Sequence, residues 1–362
     1  MTTRREFLAT TAGLVFVGCD LLAASQVLAQ SQRRQVVVSG KRAKVVDVHA
    51  HCSVPEAMAL MNLRPTGPNQ RPELPIGTEA AVRLRAMDEQ GIDVEALSIN
   101  PYWYKADRDV ARKLIQLQNE KLAEVCARHK DRFVAFASVA LQHPDLAAEQ
   151  LEDGVRKYGL RGAAIGGSVN DDEISDPKFH PFWAKAEQLG VLVFIHPQGP
   201  GAPTQLAQRF KGNGYLQNVI GNPLETTIAL SHLIFEGTLD RFPGLKICAA
   251  HAGGFLPSYA GRSDHGCLTR PDACPGGPFG PIKKKPSEYL KQLYFDSMVF
   301  TPEGLRHLAA EAGPGQLVLG TDYPFPWTKT AVDHVLATPG LSDEQKVAAL
   351  GGTAMKLLGI NA

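Results

Sequence analysis

The chain has 362 residues, 44% hydrophobic and 21% charged, with a formal net charge of +1. That is room for one large domain or two modest ones with a sizeable core. The near-neutral balance, with Lys283-Lys284-Lys285 as its longest basic run, argues against the phosphate-neutralising surface that a nucleic-acid partner requires.

Taken in chain order, the first segment stands apart. Arg4-Arg5 precedes Phe7-Leu8 and a weakly polar apolar run from Ala9 to Gly18. This reads as a twin-arginine export signal, too short to anchor a membrane, with Val27-Leu28-Ala29 as small-residue cleavage chemistry before Gln30. A second reading lipidates Cys19. The first reading makes residues 1–29 the signal peptide, and either sets them apart from the fold, leaving 30–44 as a linker and 45–362 as the folded domain. Export permits disulfides. Of six cysteines, at 19, 52, 126, 248, 267 and 274, none forms a CxxC pair, which argues against a thiolate zinc site. Cys267 and Cys274 sit close enough in a loop to pair, or to remain two thiols.

Beyond the linker, "AKVVDVH" has the apolar run of a buried strand. Residues 52–79, rich in Pro, Gly and Asn, read as an inserted functional loop. A helix follows over "AAVRLRAMDEQ", stopped by Gly91. The sequence then alternates: "VEALSI" as strand, Asp107–His129 as amphipathic helix, "FVAFASV" as strand, Asp145–Tyr158 as helix, "LRGAAIGG" as strand, Phe179–Leu189 as helix, "VLVFIHP" as strand, Pro223–Phe235 as helix and "LKICAAH" as strand. After a mixed region at 253–290 come strands "QLYFDS" and "QLVLGTD", with helices at Thr330–Ala337 and Asp343–Leu358. Eight strands alternating with helices, several of them continuous apolar runs, predict an α/β fold with a parallel sheet closed into a (β/α)₈ barrel. The competing open doubly wound sheet would carry a Gly-rich phosphate turn after its first strand; the sequence there is Asp47-Val48-His49-Ala50-His51.

The ends of these strands carry chemistry. Residues i and i+2 of a strand share a face, so His49 and His51 point together. The fifth strand ends at His196, the sixth at His251 and the eighth at Asp322. In a parallel barrel these ends meet at the catalytic mouth. Neutral imidazoles with one carboxylate suit a divalent cation, zinc above all. Such an ion lowers the pKa of a coordinated water to about 7, and a nearby histidine relays its proton. The fourth strand ends in "AAIGGS", without a bridging Lys or acid, which favours one ion over two.

The motifs "DVHAH", "MDEQGIDVEALS", "IHP", "AHAGG", "KPSEYLKQLYFDSMVF" and "LGTDYPFP" together resemble the amidohydrolase-related enzymes, and among them the aminocarboxymuconate-semialdehyde decarboxylases. The resemblance runs from about Val45 to Leu358. It implies a distorted (β/α)₈ barrel, usually dimeric, with one zinc held by His49, His51, His196 and Asp322. His251 matches the histidine that activates the zinc water, and Asp322 would share in proton transfer. Arg71, sixteen residues before Met87, and Arg262, eleven after His251, match arginines that clamp a substrate carboxylate, the second reaching a neighbouring subunit's site; guanidinium is the natural bidentate partner of a carboxylate. Gln198 departs from the aromatic residue of those enzymes, and this, with export, weakens the transfer of that exact substrate. Tyr102, Trp103 and Tyr104 are candidates to line the pocket or to pack its rim. The expected activity is metal-dependent, non-oxidative decarboxylation of an unsaturated or aromatic acid. Hydrolysis of a lactone, ester or amide at the same site is the alternative, and a non-catalytic binding protein has no use for His251.

Overall fold

The computed structural model describes residues 33–63, 80–198, 208–274 and 282–361. The principal strands are β1 (Val46–His51), β2 (Val94–Ser98), β3 (Phe133–Ala135), β4 (Gly162–Gly166), β5 (Leu192–His196), β6 (Lys246–Ala249), β7 (Leu293–Asp296) and β8 (Leu317–Val318). β1 to β3 pair in parallel, as do β4 to β8. Parallel bridges Asp47–Leu319 and Ala137–Ala163 join the two groups at both seams. The strands therefore close on themselves as the expected (β/α)₈ barrel.

The helices around it are α1 (Ala80–Gln90), α2 (Arg108–Arg128), α3 (Pro144–Arg156), α4 (His180–Leu189), α5 (Asn222–Phe235), α6 (Leu256–Thr269), α7 (Pro302–Ala312) and α8 (Ala331–Ala337). Their limits follow local chemistry. The Asp107 carboxylate accepts from the Val110 N–H at the start of α2, satisfying one of the donors a helix leaves open there. Gly190, at φ 63°, ends α4 in the left-handed conformation. The last helical stretch runs unbroken from Asp343 to Leu358, as expected, with a π-turn at Ala348–Gly352 in its middle.

Two apolar layers follow from strand alternation. Val46, Val48, Val94, Ala96, Phe136 and Phe194 fill the barrel interior, with Leu357 and Leu358 among them. Their alternating neighbours, including Leu97, Ala135, Ile165, Val193 and Ile195, pack outward against the helices. Residues 33–44, within the stretch expected as a linker, form a two-stranded hairpin, Val37–Val38 with Lys41–Arg42. It buries Val36, Val38 and Ala43, and ion pairs from Arg33 and Arg42 to Asp93 and from Arg34 to Asp333 hold it to the barrel. The signal segment and most of the inserted loop, 64–79 with Arg71, lie outside the described residues.

At the start of β4, Gly162 has φ 143°, and a Cβ there would lie 1.9 Å from the Leu192 carbonyl oxygen of β5. Gly162→Ala is expected to destabilise the barrel by about 3 kcal/mol or more, through overpacking and backbone strain together. Gly159→Ala, at φ 69° with open space around it, should cost only about 1–2 kcal/mol. Urea denaturation of both variants checks the contrast.

Candidate active site and cation centre

The barrel mouth is assembled from the ends of β1, β5, β6, β7 and β8. β1 brings His49 and His51 to the same side, their Nε2 atoms 3.0 Å apart. β5 places His196 over Phe194, which sits in the interior layer and meets the His49 ring edge-on at 5.1 Å. Past β8, Asp322 Oδ1 lies 3.1 Å from His49 Nε2 and 2.8 Å from His51 Nε2. One donor atom from each of His49, His51, His196 and Asp322 falls within 4.8 Å of every other, and all four residues are buried.

These atoms suit a cation better than one another. Both ring nitrogens of His196 are buried without a hydrogen-bond partner among the described residues, an arrangement that costs free energy unless something binds there. Two imidazole nitrogens 3.0 Å apart match the span of ligands sharing one ion at about 2.1 Å each. Burial pushes the His51 pKa down to about 4 and that of His196 well below its ordinary value, so both present lone pairs. The residues fit a single divalent cation.

The supporting contacts include residues the strand-end reading passed over. Asp296, the last residue of β7, accepts from His49 Nδ1 at 2.6 Å and from the backbone N–H groups of His251, Ala252 and Met298. It fixes the His49 tautomer with Nε2 toward the site, as carboxylates do behind metal-bound histidines. Its signal was available: it ends its strand in "YFDS" as the others end theirs. Gly320 lets this pair approach, since a Cβ there would lie 2.8 Å from Asp296 and 3.0 Å from His49. Asp47 ties β1 to the end of β8 by accepting from the N–H groups of His49 and Thr321 and from the Thr321 hydroxyl. Burial, with Glu95 alongside, pushes its pKa up to about 7.

His251 stands beside the cluster. Its ring centroid is 5.2 Å from those of His49 and His196, and its Nε2 is 3.6 Å from Asp322 Oδ2. Both residues occupy left-handed backbone, at φ 53° and 59°, a strained choice for non-glycine residues that clusters at functional sites.

The remaining candidates are placed differently. Arg262 is exposed on α6, outside the cluster. Trp103 is fully buried and donates to the Val139 carbonyl. The Tyr104 hydroxyl accepts from Gly166 N–H, and Gln118 donates to the Tyr102 hydroxyl. These aromatics pack the rim. Gln198 donates from its side chain to the Pro101 carbonyl and from its backbone to Glu225. Cys267 and Cys274 are joined in a disulfide.

An eight-stranded barrel with buried histidines and an aspartate at its mouth defines a metal-dependent enzyme of the amidohydrolase type. The amidohydrolase family (Amidohydro_2) matches residues 46–360, and the chain belongs to it. It is 33% identical over 285 residues to the 2-amino-3-carboxymuconate-6-semialdehyde decarboxylase of Dictyostelium discoideum, covering 77% of this chain and 76% of that one. Identity to the gamma-resorcylate decarboxylase of Rhodococcus jostii (strain RHA1) is 32% over 258 residues, covering 67% and 77%. Among solved structures, the dihydroxybenzoic acid decarboxylase of Polaromonas sp. JS666, with bound manganese and the inhibitor 2-nitroresorcinol, superposes with a TM-score of 0.75 at 28% identity, covering 88% of this chain and 98% of that one.

A proton should leave when the cation enters. Burial disfavours a charged His49, but Asp322 and Asp296 outweigh it and hold its pKa at about 10 in the cation-free chain. Below that pH a cation must displace the proton, so affinity rises with pH up to about 10. Calorimetry at pH 7 in buffers of different ionisation enthalpy is expected to show release of about one proton per ion.

Proposed function

We propose that the protein is a divalent-metal-dependent, non-oxidative decarboxylase of an aromatic or conjugated unsaturated carboxylic acid. The observation that carries this is a His251–Asp322 pair set against a complete cation centre, in a chain whose relatives at 32–33% identity are decarboxylases. His49, His51, His196 and Asp322 would hold the ion, and three imidazoles with one carboxylate favour zinc. When bound, the cation supplies Lewis acidity toward the substrate's oxygens.

The chain's own groups account for the proton. Asp322 Oδ2 and His251 Nε2, 3.6 Å apart, are placed to pass one proton between them through the substrate or a water. That proton is delivered to the carbon bearing the carboxylate. The bond to the carboxylate then breaks, its electron pair returns to the π bond between that carbon and its neighbour, restoring conjugation, and CO₂ departs. No oxidant is consumed, and solvent returns the proton to the pair. Arg71 and Arg262 are proposed to hold carboxylate oxygens. Arg262, exposed on α6 near exposed Tyr259 and Leu268, would do so for the second subunit of a homodimer.

Under this reading His251→Ala keeps its cation and loses turnover by about 10²–10⁴-fold, the usual contribution of a positioned acid–base group. The assay is CO₂ release from a panel of hydroxybenzoates and muconate-like acids, alongside metal analysis. Full activity in the variant would remove His251 from the mechanism; lactone opening without CO₂ release would replace the lyase by a hydrolase.

We further infer export by the twin-arginine route to the periplasm, or anchoring through Cys19. The Arg4-Arg5 motif supports it, and a Cys267–Cys274 disulfide fits an oxidising compartment. Cell fractionation is expected to recover the protein outside the cytoplasm, sedimenting as a dimer; a wholly cytoplasmic protein would overturn export, and a monomer would overturn the shared site.

A further inference from the structure

Beneath the cation centre lies a charged pair that the reaction does not use. Arg83, on α1, and Glu95, on β2, are 2% and 1% exposed. Arg83 Nη1 donates to Glu95 Oε2 at 2.8 Å. Its second terminal nitrogen, Nη2, donates to the carbonyl oxygen of His51. The guanidinium carbon sits 4.7 Å from the centroid of the Tyr323 ring, within the range of a cation–π contact. A single planar group therefore touches β2, the backbone of one cation ligand, and the residue next to another.

The contacts around Arg83 tie those segments together again. The His51 N–H donates to the Tyr323 carbonyl at 2.6 Å, and the Asp322 N–H donates to the His49 carbonyl at 2.8 Å. His51 and Asp322 are thus set at opposite sides of the β1–β8 seam, and Arg83 grips the seam from outside the cluster. Burying a charge pair this completely gains little stability over apolar packing. Its geometry, a fork with one arm on a carboxylate and one on a ligand's carbonyl, has a positional use instead.

We propose that Arg83 is a positioning residue for the cation centre, holding His51 and Asp322 at ligand distance through the His51 carbonyl and the Tyr323 ring. This rests on the reading of His49, His51, His196 and Asp322 as the cation's ligands. Lysine in its place keeps the charge opposite Glu95 but cannot reach both partners, because an ammonium lacks the planar fork.

The test is titration with Co²⁺ of the cation-free full-length protein, followed by its visible absorption, for wild type, Arg83→Lys and the double variant Arg83→Met with Glu95→Gln. The double variant removes both buried charges, so that neither is left unpaired. Circular dichroism melting of each cation-free protein reports the fold. Folded variants that bind Co²⁺ about tenfold or more weakly, with an altered absorption band, are the expected result, since residues that orient metal ligands typically contribute about 10–100-fold to affinity. Binding within about threefold of wild type, well below that range, together with a lowered melting temperature, would make Arg83 a structural residue only. Failure of both variants to fold would overturn the proposal in the same sense. A wild-type protein that binds no Co²⁺ would remove the cation centre itself and the role of Arg83 with it.

Discussion

Everything at the mouth of this barrel follows from holding nitrogen and oxygen lone pairs together in buried residues. Four donor atoms lie within 4.8 Å of one another in buried residues, and a further buried carboxylate, Asp296, stands behind His49. Without a cation the cluster relies on a proton shared toward His49, held there by Asp322 and Asp296 against the pull of burial. A divalent ion held by three neutral imidazoles would replace that proton and balance both carboxylates. The pocket is therefore electrostatically complete only when loaded, and proton release and cation affinity are two sides of one constraint.

Such a cluster persists because the barrel over-determines it. His49 and His51 come from one strand. A bulge between Asp47 and Ala50 shifts the pairing with β2 there, so regular alternation alone does not set their angle. Backbone bonds across the β1–β8 seam set it, with the Asp47 carboxylate holding Thr321 just ahead of Asp322. At β6 the interior residues are Cys248 and Ala250. His251 is the next residue, and it enters the site by turning into left-handed backbone rather than by strand parity. Asp296 accepts the N–H groups of His251 and Ala252, so the carboxylate that orients His49 also stabilises the strained turn carrying His251. One side chain thus links His49 of the cation centre to the neighbouring His251.

The sequence made legible what depends on local period and on strand ends. Apolar runs at regular intervals place all eight strands, and their final residues identify His49, His51, His196, His251 and Asp322, which the fold brings together. What it hid depends on long-range partners. Asp296 ended its strand as visibly as Asp322, but carries no meaning until His49 is seen across the barrel. Arg83 and Glu95 read as ordinary helix and strand charges because nothing local says that both are buried. Tyr102, Trp103 and Tyr104 have the composition of a binding pocket; only their hydrogen bonds to Val139, Gly166 and Gln118 show a packed rim. The hairpin at 33–44 is polar by composition, and Val36 and Val38 gain their meaning from the barrel they cover.

The end of β4 shows why one ion suffices for this centre. A bridging site would need an acidic or lysine-derived ligand carried by the end of β4 itself. β4 instead closes with Gly166, followed by Gly167, where added Cβ atoms would meet Gln198 at 3.1 Å and Glu225 at 3.0 Å. The space is taken by a neutral amide bonded to Pro101 and a carboxylate that receives the Gln198 N–H. His196, grouped with His49, His51 and Asp322, is then placed to share one ion with them, and His251 stands outside that group. The glycine pair thus leaves His196 turned toward the single cation centre, with His251 beside it at a ring-centroid distance of 5.2 Å.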